Sequence, residues 1–235
     1  TMIRQAENLR EEKSHSVSLS ADMYRRFGAF QCNLLLEGFY TRLNHVFVLE
    51  EIGKDEEHNA VIKERRNGQG AEVAGVTVEG KVAYLSLVQL QAGVTWQKSH
   101  YTRPEKWSKD SSVPAEKRIF RTPDWYGYFT ATYSPVKPLN IALSGTYTGS
   151  MIVQHMKGYI PKDMAVTTPD FFDMNLKISY DFSLYKFITL QLNAGVQNIF
   201  NAYQRDFDQG KERDSGYIYG SSMPRSYFAG AKLMF

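Results

Sequence analysis

The sequence predicts an all-β fold, an antiparallel β-barrel that crosses a membrane with strands, and three observations predict it. Apolar and polar residues alternate with period two along most of the chain. The connections between the alternating runs are short and long in turn. Aromatic residues gather where the runs end. Successive side chains of a strand point to opposite faces, so a period of two marks a sheet with one apolar and one polar face.

Taken in order, residues 17–23 form the first clear run. Phe30, Cys32, Leu34, Leu36, Gly38 and Tyr40 then oppose Gln31, Asn33, Leu35, Glu37, Phe39 and Thr41. Residues 84–96 read as a further strand, as does Trp125, Gly127, Phe129, Ala131 and Tyr133 against Tyr126, Tyr128, Thr130 and Thr132. The run 139–153 carries Leu139, Ile141, Leu143 and Tyr147 on one face and Asn140, Ser144, Thr146 and Thr148 on the other. Phe172, Met174, Leu176, Ile178, Tyr180 and Phe182 alternate with Asp173, Asn175, Lys177, Ser179 and Asp181. Ile188, Leu190, Leu192, Ala194 and Val196 do the same against Thr189, Gln191, Asn193, Gly195 and Gln197. About nine strands result, several longer than the ~5–6 residues usual in soluble sheets.

Tight connections are expected at 26–29, 79–82, 134–138 and 183–186, where Gly or Pro or a short break interrupts the pattern. Between them lie long, polar, charge-rich stretches at 50–70, 99–122, 155–169 and 203–223. Short turns at one end and long loops at the other are the layout of outer-membrane barrels, whereas a soluble β-sandwich has no reason to sort loop length by end. Trp96, Tyr101, Trp125, Tyr133, Tyr180, Phe182, Tyr185 and Phe187 fall near run ends, as interfacial girdles do.

Composition agrees. Of 235 residues 43% are hydrophobic and 14% aromatic, and no stretch approaches the ~18–20 consecutive apolar residues of a membrane-spanning helix. A mean hydropathy of -0.41 is compatible with a barrel, because its strands show lipid only every second residue. The 28 basic and 25 acidic residues are well mixed, without the one-faced basic stripe of a nucleic-acid binder. The single Cys32 excludes an intrachain disulfide and a cysteine-rich metal site. Residues 1–14 lack the apolar core of a signal peptide, which suggests that the sequence starts inside a longer parent.

Two segments near the end resemble a known family. Gly195-Val196-Gln197-Asn198-Ile199-Phe200-Asn201 is similar to the G-V-x-N-L-F-[DN] motif of the penultimate strand of TonB-dependent receptors, and Met223-Pro224-Arg225 resembles the segment opening their final strand. The chain ends on alternating apolar residues and a terminal Phe235, similar to the signal read by the barrel-assembly machinery; Tyr227, Leu233 and Phe235 are its candidate residues. Leu36-Glu37-Gly38-Phe39-Tyr40-Thr41 and Tyr147-Thr148-Gly149 look like other strand segments of the family, and the ensemble is most like receptors of the Bacteroidetes. The resemblance implies that residues 1–235 are the C-terminal segment of a barrel of roughly 22 strands, an incomplete domain without the plug. It further implies an active importer of a ferric siderophore, haem or cobalamin in the Gram-negative outer membrane, with TonB as a partner through the plug segment. Outer-membrane lipid, the assembly machinery, a small-molecule cargo and a surface lipoprotein over the loops complete the partners. An oligosaccharide importer of the same family and a passive or structural barrel are the alternatives.

No enzyme is expected. The histidines at 15, 45, 58, 100 and 155 lack ligand spacing, and no G-x-S-x-G motif is present. Asp55-Glu56-Glu57-His58 and the acidic stretch 206–214 read as solvated loops; the second lacks the register of a calcium loop. No metal and no cofactor are assigned. Trp107, Tyr159, Tyr217 and Tyr219 stand in the long loops, where aromatics either stack on cargo or pack the loops together. Lys177, if it faces the interior, requires a carboxylate such as Asp173.

Overall fold

A computed structural model describes residues 2–58, 60–221 and 223–235, all in strands, turns and irregular segments. The strands are β1 (Met2–Gln5), β2 (Lys13–Phe27), β3 (Phe30–Asn44), β4 (Phe47–Asp55), β5 (Ala60–Asn67), β6 (Ala71–Tyr84), β7 (Val88–Glu105), β8 (Glu116–Arg118), β9 (Trp125–Val136), β10 (Leu139–Thr148), β11 (Ile152–His155), β12 (Met164–Thr167), β13 (Phe171–Tyr185), β14 (Ile188–Gln197) and β15 (Ser226–Met234). Nine of them pair with their neighbours in chain order as one antiparallel meander, β2-β3-β6-β7-β9-β10-β13-β14-β15. The remainder form two small sheets in the long connections (β1-β5-β4 and β11-β12) and a short addition, β8 on β7.

Register makes the period-two pattern into two surfaces. Leu36 pairs with Ala21 and Val78, Val94 with Val78 and Gly127, Leu143 with Ala131 and Leu176, and Ala194 with Ile178 and Ala229. Residues opposite one another in a ladder share a face, so these pairs run one apolar surface across all nine strands. That surface is exposed: Val17, Leu19, Leu34, Leu90, Ile178 and Leu233 lie on it with much of their area open. A sandwich would bury it against a second sheet. Among the described residues the buried hydrophobic ones are instead Ala71, Met151, Ile152, Val153 and Tyr217, of which four lie in the long connections. The opposite face carries a hydrogen-bonded polar lattice, with Ser16 on Thr41 at 3.0 Å, Thr77 on Thr95 at 2.9 Å and Gln91 Nε2 donating to Tyr128 Oη at 2.8 Å.

Aromatics edge the apolar face at both ends. Trp96 and Trp125 pair in register with centroids 6.3 Å apart at the loop end, while Phe30 and Tyr84 stand 4.7 Å apart at the turn end. From Phe30 to Tyr40 along β3, at ~3.3 Å per residue and a tilt of ~40°, the face stands about 25 Å tall, the height of an outer-membrane barrel's apolar band.

The connections alternate as expected, with two refinements. β2 turns into β3 at Gly28-Ala29, where Gly28 takes φ 58° and spares a side chain the left-handed penalty. β9–β10 and β13–β14 turn at 137–138 and 186–187. The turn expected at 79–82, however, lies inside β6, and residues 84–96 are not one strand. The chain reverses instead at Leu85-Ser86-Leu87, with Leu85 at φ 51°. Gly80 suggested a break, yet it simply pairs with Leu34 and Ala92 on the apolar face. Leu85 holds its conformation without glycine because its N–H donates to Ala29 O of the adjacent turn at 3.1 Å.

The second refinement concerns the run 139–153. β10 stops at Thr148, and Ile152 and Val153 leave to build the β11–β12 hairpin, although the alternation continues. Likewise the stretch 50–70, read as loop, is largely the β4–β5 hairpin. Lys177 does not meet Asp173: both lie on the polar face of β13, four residues or about 13 Å apart along the strand.

Candidate functional site

At the loop end of the meander three connections (106–124, 149–170 and 198–225) condense into one cap. Its centre is a small apolar core of Met151, Val153 and Tyr217, with Val166 and Tyr219 packed against it. The hairpin β11–β12 supplies Val153 and Val166 by its register, Val153 opposite Val166. Thr168 closes the hairpin's base, its N–H donating to Met151 O at 2.8 Å and its Oγ1 accepting from Met151 N at 3.1 Å.

The irregular stretch 203–221 wraps this core through its own polar side chains. His155 stacks on Tyr217 with centroids 3.7 Å apart and planes within 7°. His155 Nε2 reaches both carboxylate oxygens of Asp208, at 3.0 and 2.9 Å. Tyr217 and Tyr219 both donate their hydroxyls to Asp206, at 2.8 and 2.6 Å. Gln204, almost wholly buried, donates to Tyr217 O at 3.1 Å and accepts from Tyr219 N at 2.9 Å. Asp214 accepts from the Met156 and Gly216 amides at 2.8 Å each, and Arg121 donates to Ile218 O and Gly216 O. Buried backbone groups must find such partners, and here side chains of one loop satisfy the backbone of another.

The electrostatics follow from that wiring. Burial opposes ionisation of Asp206, but the hydroxyls of Tyr219 and Tyr217 outweigh it and hold the carboxyl below its ordinary range. Burial and then the Asp206 carboxylate push Tyr217 well above the usual phenol value, and push Tyr219 up to about 12. Asp206, Asp208 and Asp214 are therefore consumed by internal hydrogen bonds. Asp55 similarly caps its own turn, accepting from the Glu57 and His58 amides at 3.0 and 3.2 Å. Among the described residues no group of three or more His, Cys, Asp or Glu could hold a metal ion.

The four loop aromatics thus separate. Tyr217 is buried and Tyr219 is tied to Asp206 and set beside Phe171, centroids 6.0 Å apart. Trp107 is partly buried, edge-on to Phe120 at 5.3 Å, with its indole N–H donating to Pro114 O at 3.2 Å. Tyr159 stands out, 57% exposed at the tip of the β11–β12 hairpin. The sequence did not bring His155, Gln204, Asp206 and Asp208 together as a group. Asp206 takes both tyrosine hydroxyls while Asp208 takes His155 from another connection, a division no local spacing announces.

The motif around Asn198 is a staple. Asn198, buried and at φ 52°, donates from Nδ2 to Ala202 O and Met223 O at 3.0 Å each and accepts from Ala202 N at 2.8 Å. Asn201, at φ 55°, accepts from Arg225 N at 2.9 Å. Both amides fasten the end of β14 to the start of β15, and Gly195 leaves room for the Phe228 ring across the ladder, 2.5 Å from where a Cβ would stand. Tyr227 and Leu233 on β15, and the terminal Phe235 just beyond it, are largely exposed.

The family model for the TonB dependent receptor-like β-barrel matches residues 1–199. No curated protein sequence matches the chain. Among solved structures, the FrpB iron transporter of Neisseria meningitidis superposes with a TM-score of 0.59 at 13% identity, over 99% of this chain and 33% of that one. The ferric-catecholate import receptor Fiu of E. coli K12 gives 0.60 at 18% identity, over 97% and 28%. A mutant of the ferric enterobactin receptor PfeA of Pseudomonas aeruginosa gives 0.59 at 16% identity, over 96% and 32%. At these identities the likeness is one of fold, and the chain spans about a third of the length of those proteins. With most of its length matched by the family model and its meander laid out as these barrels are, the chain belongs to the TonB-dependent receptors, as part of their β-barrel.

Proposed function

We propose that the chain is the C-terminal segment of the barrel of an outer-membrane active importer for a ferric siderophore, haem or cobalamin, driven through TonB by the inner-membrane proton gradient. The observation that carries the reading is the meander itself: one uninterrupted apolar face, four tight turns at one end, and long connections condensed into a structured cap at the other. The apolar face suits lipid, the polar face suits a plugged lumen, and the cap suits capture of cargo from outside. The solved neighbours named above are described as iron, ferric-catecholate and ferric enterobactin proteins, which favours an iron chelate.

Within the cap, Tyr159 and the open edge of Trp107 are assigned to cargo, while Tyr217 and Tyr219 hold the loop that positions them. Tyr227 and Leu233 on β15, with Phe235 just beyond it, are assigned to the barrel-assembly machinery. A surface lipoprotein over the cap is compatible with the same reading.

The test is an absorption spectrum of the full-length receptor purified gently from its native outer membrane, followed by uptake of the labelled cargo with and without a protonophore. A ferric-chelate, haem or corrinoid band, and uptake that stops when the gradient is dissipated, support the assignment. A colourless protein with oligosaccharide uptake moves the cargo to glycans, and uptake indifferent to the protonophore refutes active import.

A further inference from the structure

On the polar face of the sheet, at the loop end of β13, β14 and β15, lies a cavity of about 260 Å³. It opens because β14 ends at Gln197, opposite Ser226, while β13 continues back to Phe171 alongside β10. Asp173, Asn175, Gln197, Ser226, Met223 and Pro224 line it, and no lysine, arginine or histidine is among the lining residues.

Two of its acceptor oxygens are hydrogen-bonded, and one carboxylate oxygen is not. Asn175 Oδ1 accepts from Asn198 N at 2.9 Å, and Gln197 Oε1 accepts from Ser226 Oγ at 3.2 Å. Asp173 Oδ1 is buried without any hydrogen-bond partner among the described residues. A buried carboxylate oxygen left unpaired is costly, and in native proteins it is matched by a cation or a donor. Among the described residues no hydrogen-bond partner reaches Asp173 Oδ1, and Lys177 is about 13 Å further along the same strand.

We infer that this cavity is a seat for a guanidinium or alkylammonium group, with Asp173 as its anion. The acceptor oxygens of Asn175 and Gln197 flank the charge, and Met223 with Pro224 offers an apolar wall for an aliphatic stem. A bare metal ion fits less well, since the cavity holds one carboxylate and far more volume than an ion requires. The cation arrives either on a side chain of the polypeptide seated against this face or on a free solute, and the experiment separates the two.

The full-length receptor in detergent is titrated with n-butylguanidinium and with its neutral isostere n-butylurea, and its unfolding temperature is compared with that of Asp173→Asn. Saturable binding of butylguanidinium alone, weakened at least tenfold in Asp173→Asn, identifies a site for a free cation. No binding to the wild type, together with a lower unfolding temperature for a folded Asp173→Asn, identifies a cation already supplied by the polypeptide. Neutralising an unpaired buried carboxylate instead removes a penalty, so the sign of the shift is informative. No binding with an unchanged or higher unfolding temperature overturns the inference, as does equal binding of butylurea. If Asp173→Asn does not assemble, Asp173→Glu is compared with its neutral counterpart Asp173→Gln by the same sign.

Discussion

Replacing Asn198 should release the join between β14 and β15. Three hydrogen bonds of 3.0, 3.0 and 2.8 Å depend on its side-chain amide. At ~0.5–1.5 kcal/mol net each, their loss costs about 3 kcal/mol. Asn198 also sits at φ 52°, where alanine carries a further cost of ~1 kcal/mol that asparagine largely avoids and glycine escapes. Asn198→Ala therefore lowers local stability by about 4 kcal/mol and Asn198→Gly by about 3 kcal/mol. Hydrogen–deuterium exchange of the full-length receptor reads this at the Ala202 amide, which donates to Asn198. At tenfold per ~1.4 kcal/mol, exchange accelerates about a thousandfold in Asn198→Ala and about a hundredfold in Asn198→Gly. If Ala202 in the alanine variant exchanged within threefold of wild type, the staple would be a geometric coincidence and the reasoning wrong.

Three further perturbations are informative. Gly195→Ala drives a methyl into Leu176 O and the Phe228 ring, so correctly paired β14 and β15 should be lost and the heat-modifiable band of folded barrels reduced on a gel; full assembly would refute the close packing. His155→Ala leaves Asp208, whose side chain is 2% exposed, without its main partner and unstacks Tyr217, a loss of ~3 kcal/mol that limited proteolysis should report as cleavage within 203–221 while the strands stay intact. The pH dependence has a definite sign on both sides. Asp206 is depressed in the folded cap, so its contribution is complete above its ordinary value of 3.8 and lost as pH falls further. Tyr217 and Tyr219 are raised, so theirs is complete below 10 and lost as pH climbs through about 12 for Tyr219. Protease resistance of 203–221 should then fall at both extremes, below pH 3.8 and above pH 10, and resistance undiminished at pH 12 would contradict the network.

Period-two patterning made most of the barrel wall legible, because lipid and lumen act on every strand and leave the same imprint in each. Residues 171–182 and 188–197 alternate so cleanly that their pairing and facing follow from the residues alone. Turns at Gly28 and Pro138 were equally legible, since each carries a residue with a backbone reason to be there. The turn at Leu85 was not, because its left-handed residue is held by Ala29 O of a neighbouring hairpin, a tertiary contact far from any local signal.

The same division governs the cap. Ile152 and Val153 continue the alternation of β10, and nothing local says that the chain departs at Thr148 to cover Tyr217. His155 and Asp208 lie 53 residues apart, and their meeting depends on how two loops fold over one sheet end. Sequence by itself determined the class of fold, the two faces and the end to which each connection belongs, because those follow from a solvent that alternates across every strand. Only the tertiary structure decided where the strands stop, which loop aromatics are spent on packing, and that one Asp173 oxygen lies beside a cavity without a partner among the described residues, because these depend on distant segments competing for the same few partners.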